Sequence, residues 1–325
     1  MRFAFAALLL LLASPTFAAE KPVAFVPAKP DPLMGDYKAD AGPVAQVFIN
    51  ADGGYQANLL KAFDTDEKPI AVLKGSRAGD AIRVSGDGWT GTIDASHLVV
   101  TKEKENVELK HVTRTSPTLA APPPAGATVL FNGSNLDAWA KKAGKNWLTE
   151  EGPAQWKIVD GGAVEVVPAT DSIISKKKFG DCRIHVEFRT LGAPTNSGIY
   201  LQARYEVNIS ETYGKLEGGG TGGLDNCTDK VRPRVRASLP PLSWQTLDID
   251  FRAPRFDAAG AKTANARATV QLNGVKIYED QELNPPKGAA GRLAEAATGP
   301  IMLQEHGVPL QFRNVWVVES APSTP

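Results

Sequence analysis

In the run Arg183-Ile184-His185-Val186-Glu187-Phe188-Arg189, charged or polar side chains alternate with apolar ones. A β-strand sends those two sets to opposite faces, so His185, Glu187 and Arg189 are expected to stand together on one side. Tyr205-Glu206-Val207-Asn208-Ile209 repeats the pattern, with Glu206 and Asn208 set against the apolar parity. These heads are long or offer paired donors and acceptors, unlike the Lys, Thr and Ser mixture of a plain solvated sheet. Such a surface suits a ligand recognised through many directed hydrogen bonds. The alternative is a solvated sheet face, the commoner fate of polar strand positions.

The elements that must carry these residues read as strands almost throughout. Leu247-Asp248-Ile249-Asp250-Phe251-Arg252 alternates in the same way. Ala268–Leu272 and Val275–Tyr278 flank Asn273-Gly274, a pair that tolerates the positive φ of a type I′ hairpin turn. Ile301–Gln304 and Phe312–Val318 complete the set. Helical periodicity is nearly absent, while 30 Gly and 24 Pro punctuate short β-favouring runs. The expected fold class is all-β, with two antiparallel sheets packed face to face as a sandwich.

Upstream, a small β-rich domain is expected over 29–114. Val44–Ile49, Tyr55–Ala62, Ile70–Lys74, Ala81–Val84, Gly88–Ile93 and His97–Thr101 are its strands, separated by Gly- and Asp-rich turns. Residues 115–127 contain three consecutive prolines and read as an extended, semi-rigid spacer. At the N-terminus, Arg2, the apolar run Phe3–Ala13 and small residues at Thr16 and Ala18 form a signal-peptide pattern over 1–18. The run is too short to span a bilayer, so the expected location is the periplasm or the extracellular space. Basic and acidic side chains number 36 each, and loss of Arg2 with the leader leaves one negative charge in excess. That balance gives no reason to expect nucleic acid or an anionic membrane as partner. Cys182 and Cys227 are the only cysteines; they leave a disulfide open and exclude a four-thiolate metal cluster.

Six segments then occur in a recognisable order: LFNGSNLDAW from Leu130, FGDCRIHVEFR from Phe179, NSGIYLQARYEV from Asn196, LPPLSWQTLDIDF from Leu239, LNG from Leu272 and LQEHGVPLQFRNVWVVE from Leu303. Together they resemble the 3-keto-disaccharide hydrolase family, also catalogued as domain of unknown function 1080, over a domain at 128–320. The resemblance implies a concanavalin- or laminin-G-like jelly roll, in agreement with the sandwich read from alternation. It also implies action on a small-molecule carbohydrate, a glycoside already oxidised to a ketone at C3. A C3 ketone acidifies the hydrogen on C2; a base removes it, the enolate expels the C1 substituent, and water adds back. This route needs a general base and a stabiliser for the enolate oxygen, in place of the paired carboxylates of ordinary glycosidases.

Carried onto this chain, the resemblance marks His306 for acid–base or metal-ligand duty, and Glu206 and Glu187 as the carboxylates of the same cleft. Arg189, Asn196, Ser197, Asn208, Gln304 and Arg313 are expected to bind substrate, with Gly198 allowing close backbone approach. A divalent metal is a possible cofactor, with His306 and Glu206 as its candidate ligands. Trp139, Trp147, Trp156 and Trp244 are candidates for stacking on sugar rings, although core packing is the commoner use of tryptophan. Two departures from the family pattern stand out. Asn208 replaces a usual glutamine and Ser210 a usual aspartate, which points to weakened activity or an altered substrate. Arg232, Arg234 and Arg236 are also unusual and would suit an acidic substituent or a solvated loop. Two other functions fit the same scaffold: a non-catalytic carbohydrate-binding module and an envelope interaction protein.

Overall fold

The computed structural model describes residues 24–50, 52–215, 220–229 and 231–321. The leader at 1–18 therefore lies outside the described residues. Strand accounts for 51% of the chain and helix for 2%, so the protein is all-β.

Eight antiparallel strands from Gly35–Lys38 to Glu105–Val112 close into a barrel in sequence order, the first pairing with the last through Asp36 and Val112. Alternate positions fill its interior with Tyr37, Val47, Leu59, Leu73, Ile82, Leu98 and Leu109. The fourth strand runs Ala71–Ala78, past the expected stop at Lys74. It does so because Gly75 lets the next strand cross closely: a Cβ there would fall 1.7 Å from the Arg83 carbonyl oxygen.

The second unit is a sandwich. Its eight-stranded sheet includes Leu310–Glu319, Cys182–Thr190, Gln245–Arg252, Ala266–Leu272 and Val275–Leu283 as consecutive neighbours. Thr128–Phe131 also pairs with Leu310–Glu319, so the two ends of this unit meet. The facing six-stranded sheet runs Asn146–Pro153, Trp139–Ala143, Ile173–Phe179, Gly299–Leu303, Asn196–Leu201 and Tyr205–Ser210. Between them lie Ile184, Val186, Phe188, Leu247, Ile249 and Phe312 from one sheet, and Ile199, Leu201, Val207, Ile209, Ile301 and Leu303 from the other. Each such side chain contributes on the order of 1.5–3 kcal/mol by leaving water, which fixes the register, since a one-residue slip would invert every face. Cys182 and Cys227 are both buried, unpaired thiols, so no disulfide links them.

Residues 115–127 do not behave as a spacer. Ser116 Oγ lies 2.6 Å from Thr246 Oγ1, Thr118 donates to Asp248 at 2.6 Å, and the Ala120 N–H donates to Glu187 at 2.6 Å. Asn314 donates to the Ala121 carbonyl at 2.9 Å. The segment is a strap across the outer face of the eight-stranded sheet. Its polar partners are sheet side chains, and Thr246 Oγ1 has its side-chain hydrogen bonds from the strap's Ser116 and Thr118. The barrel is held to the sandwich through Tyr213, whose hydroxyl donates to Asp36 at 2.8 Å, and through Asn58, which donates to the Gly214 carbonyl at 2.6 Å.

Candidate active site

The outer face of the six-stranded sheet is shaped by the parity opposite to its core. Since Ile199, Leu201, Val207 and Ile209 point inward, Gly198, Tyr200, Glu206 and Asn208 point outward. Lys142 joins them from Trp139–Ala143, where Trp139 takes the inward position. A cleft of about 510 Å³ opens over this face, and its lining includes Lys142, Trp147, Asn196, Tyr200, Glu206, Asn208, Asp225, Gln304 and His306.

Glu206 stands directly opposite Tyr200 in the strand pair. A Cβ on Gly198 would lie 3.0 Å from a Glu206 carboxylate oxygen and 3.3 Å from the Tyr200 ring, so the missing side chain makes room for the carboxylate. Burial pushes the Glu206 carboxyl up, the Tyr200 hydroxyl favours its charged form, and nearby Asp225 pushes it up again; the outcome is a pKa of about 6. Among the described residues Glu206 has no ion-pair partner. The Tyr200 hydroxyl accepts from Gln304 Nε2 at 3.2 Å, and burial together with Glu206 keeps the phenol protonated. Asp225 arrives on the segment Gly220–Asn226, which lies along the free edge of Tyr205–Ser210. There the Asn208 N–H donates to Gly223 O at 2.8 Å, the Gly222 N–H to Asn208 O at 2.7 Å, and the Glu206 N–H to Asn226 Oδ1 at 2.9 Å.

Lys142 is the recessed cation of the cleft, 8% exposed; it pairs with Asp171, donates to the Gly144 carbonyl at 2.9 Å and lies 5.9 Å from the Trp147 ring centre. Trp147 meets the Tyr200 ring edge-on at 5.4 Å, forming an aromatic wall. His306 is exposed on the rim with Nδ1 3.2 Å from the Asn196 amide nitrogen. Because that amide can only donate, Nδ1 accepts and the ring proton of the neutral form sits on Nε2.

Of the residues expected from sequence, the fold brings His306, Glu206, Asn196, Asn208 and Gln304 together on one cleft, with Gly198 beneath. Ser197 points inward, is buried, and donates to the Gln304 carbonyl at 2.8 Å, a holding role. Glu187, Arg189, Arg313 and His185 do not belong to the cleft. Cys182–Thr190 lies in the other sheet from Tyr205–Ser210, so the face expected to unite Glu187 with Glu206 is two separate faces. Glu187 is fully buried, salt-bridged to Arg313 at 2.6 Å and hydrogen-bonded by Asn314 at 2.9 Å. Burial alone would raise its pKa, but His185, Asn314, Arg313 and the Ala120 N–H hold it at about 2. His185 bonds Asp248 at 2.8 Å and stacks on Trp316. Trp139 and Trp156 are core, and Trp147 alone of the four candidate tryptophans lines the cleft. Ser210 stands off the cleft lining, next to Asn208 at 3.4 Å. Lys142, Tyr200 and Asp225 were not expected from sequence, although Tyr200 shares the outward parity of Asn196 and Gly198.

The donors fit a dedicated metal centre poorly. Among the described residues no three His, Cys, Asp or Glu side chains converge as a metal-binding group. Asp171 is committed to Lys142, and Glu305 accepts from the backbone N–H groups of Ala169 and Gly307.

Comparison with known proteins bears on the family and the fold. The model of the 3-keto-alpha-glucoside-1,2-lyase-like domain matches residues 126–318. A crystal structure of a candidate glycosyl hydrolase from Parabacteroides distasonis is 30% identical, with a TM-score of 0.50, covering 61% of this chain and 85% of that one. Two further candidate glycosyl hydrolases from the same organism are 19% and 21% identical, with TM-scores of 0.43 and 0.38; each comparison covers 60% of this chain, and 94% and 99% of theirs. No protein of curated function matches the chain. Through residues 126–318 the chain therefore belongs to the 3-keto-alpha-glucoside-1,2-lyase-like domain family, a glycosyl-hydrolase-like and carbohydrate-active one.

Proposed function

We propose that the protein cleaves 3-keto-glycosides by elimination and hydration in the cleft of the six-stranded sheet. The observation that carries this reading is Glu206, a recessed carboxylate with no cationic partner whose pKa of about 6 suits proton exchange near neutrality. In the first step Glu206 takes the C2 proton and the electron pair becomes the enolate of the C3 ketone. The Lys142 ammonium, already recessed, supplies positive charge for that oxygen. The enolate then re-forms the ketone, the C2–C1 double bond closes, and the C1–O bond breaks with its electrons on the leaving oxygen. That oxygen takes its proton from a water molecule held by His306 Nε2–H. The hydroxide left by that water adds to C1 while Glu206 returns its proton to C2, so the sum is hydrolysis. Trp147 and Tyr200, whose rings meet edge-on, offer aromatic surface to the apolar face of a sugar, and Asn196, Asn208 and Gln304 offer amides to its hydroxyls.

Incubation of the purified protein with a 3-keto-glucoside, following release of the aglycone, tests the reading. Turnover that is lost in Glu206→Gln while folding is kept supports it. Absence of turnover by folded protein, with or without added divalent metal, overturns it and favours a carbohydrate-binding module using the same cleft. The leader pattern supports export, and the N-terminal residue of protein recovered from the cell envelope or medium tests that directly: a start at Ala19 supports cleavage after Ala18.

A further inference from the structure

The strap leaves one part of the eight-stranded sheet's polar face uncovered by partners of its own. Arg189 and Arg313 both lean on Trp244, their guanidinium carbons 4.7 Å and 4.1 Å from the ring centre, so the two cations share one small patch. Each is anchored in the same way, through Nε alone. Arg189 Nε donates to Gln311 Oε1 at 2.6 Å, and Arg313 Nε donates to Glu187 Oε2 at 2.6 Å. Among the described residues no hydrogen bond engages the terminal nitrogens of either guanidinium. Both side chains are half-buried, so water compensates them only in part.

The charges make the arrangement unusual. Arg313 has its carboxylate in Glu187, but among the described residues Arg189 has none within ion-pair distance. The nearby Glu165 is already held by Lys157 at 2.7 Å and Gln311 at 2.6 Å. Burial and the like charge of Arg313 both act against the Arg189 cation. A fold that brings two guanidiniums onto one indole and leaves their paired N–H groups free has built a fork for a planar anion. Contact with Trp244 and the two Nε hydrogen bonds hold both guanidiniums in place, so little freedom is lost when a ligand enters.

We propose that Arg189, Arg313 and Trp244 form a second ligand site, on the sheet opposite the cleft, for the carboxylate of an acidic sugar residue. The carboxylate accepts from the terminal nitrogens of both arginines, while the sugar ring rests over the patch. A sugar acid is favoured over other carboxylates because the sandwich is of a carbohydrate-active family. The site would hold an acidic glycan while the cleft works on a neutral or oxidised unit, and it does not depend on the cleft chemistry.

Isothermal titration of the full protein with a galacturonate oligosaccharide, and with its uncharged methyl ester, tests the site. The acidic ligand is expected to bind at least tenfold tighter than the ester, and the difference should shrink as salt rises. Arg189→Gln should abolish that difference without unfolding the protein, because its side chain makes no ion pair; Arg189→Lys should restore only part of it. Glu206→Gln should leave it unchanged. Equal binding of acid and ester, or binding that survives Arg189→Gln but is lost in Glu206→Gln, overturns the proposal. Displacement by inorganic sulfate at the same concentration as the sugar acid also overturns it, as that identifies a general anion site.

Discussion

Glu187 and Glu206 sit on strands with the same alternating pattern, on the outer faces of two sheets of one sandwich, and their fates are opposite. Glu187 is covered by the 115–127 strap and met by Arg313, Asn314 and the Ala120 N–H, which hold it charged, at about 2. Glu206 is covered by nothing but a cleft, faces one hydroxyl and a second carboxylate, and rises to about 6. Burial acts on both in the same direction; the number of donors decides the sign. A carboxylate surrounded by donors is a structural anchor, and one left short of them is available for proton transfer.

The largest effects should separate the two carboxylates by kind. Glu206→Gln should lower turnover of a 3-keto-glucoside by about 10²–10⁴-fold, the usual worth of a general base, without loss of stability. Stability should even rise at neutral pH. The native pKa of Glu206 lies above the ordinary value of 4.5, so the native state binds the proton more tightly. The ionised form therefore destabilises the fold, fully so above pH 6, and this is relieved as pH falls from about 6 towards 4.5. Glu187→Ala should do the reverse, costing about 3–5 kcal/mol in urea unfolding because a half-buried Arg313 and the strap lose their partner. Its folded fraction should keep the same turnover per molecule. Here the sign is opposite: the lowered pKa of Glu187 contributes stability above pH 4.5 that is lost as pH falls towards 2.

Smaller changes sharpen the same contrast. Turnover should rise with pH as Glu206 ionises, with a midpoint near 6 in kcat/KM. Tyr200→Phe removes the hydroxyl that favours the charged form, so the midpoint should move upward while activity well above it is largely kept. A downward or absent shift would show that Tyr200 does not act on Glu206. Gly198→Ala places a methyl group 3.0 Å from the carboxylate and should reduce kcat several-fold with little change in thermal midpoint.

The strands were legible in the sequence because period-two alternation needs only local pattern. The Asn273-Gly274 hairpin was legible for the same reason; both residues take positive φ, at 53° and 79°. Alternation does not say which sheet a strand joins. Cys182–Thr190 and Asn196–Leu201 follow one another in the chain yet lie in facing sheets, so Glu187 was placed with Glu206 when it stands across the core from it. The strap was read as a spacer because proline-rich chain looks alike whether free or docked, and its anchors, Thr246, Asp248 and Glu187, are remote in sequence. Lys142, within Trp-Ala-Lys-Lys-Ala, carries no local sign that sets it apart from the half-buried Lys141 beside it. Its recess depends on Asp171 and Trp147 arriving from other strands and loops.

Proton exchange at C2 tests the central assignment most directly, because it reads the base step without requiring bond cleavage. A 3-keto-glucoside incubated in deuterated buffer with the wild-type protein, Glu206→Gln or Glu187→Gln should be followed by NMR at the C2 position. Deuterium should enter C2 with the wild-type protein and with folded Glu187→Gln, and should not enter above the buffer rate with Glu206→Gln. Exchange that persists in folded Glu206→Gln, or that is lost only in Glu187→Gln, would place the base on the other face of the sandwich and contradict the account.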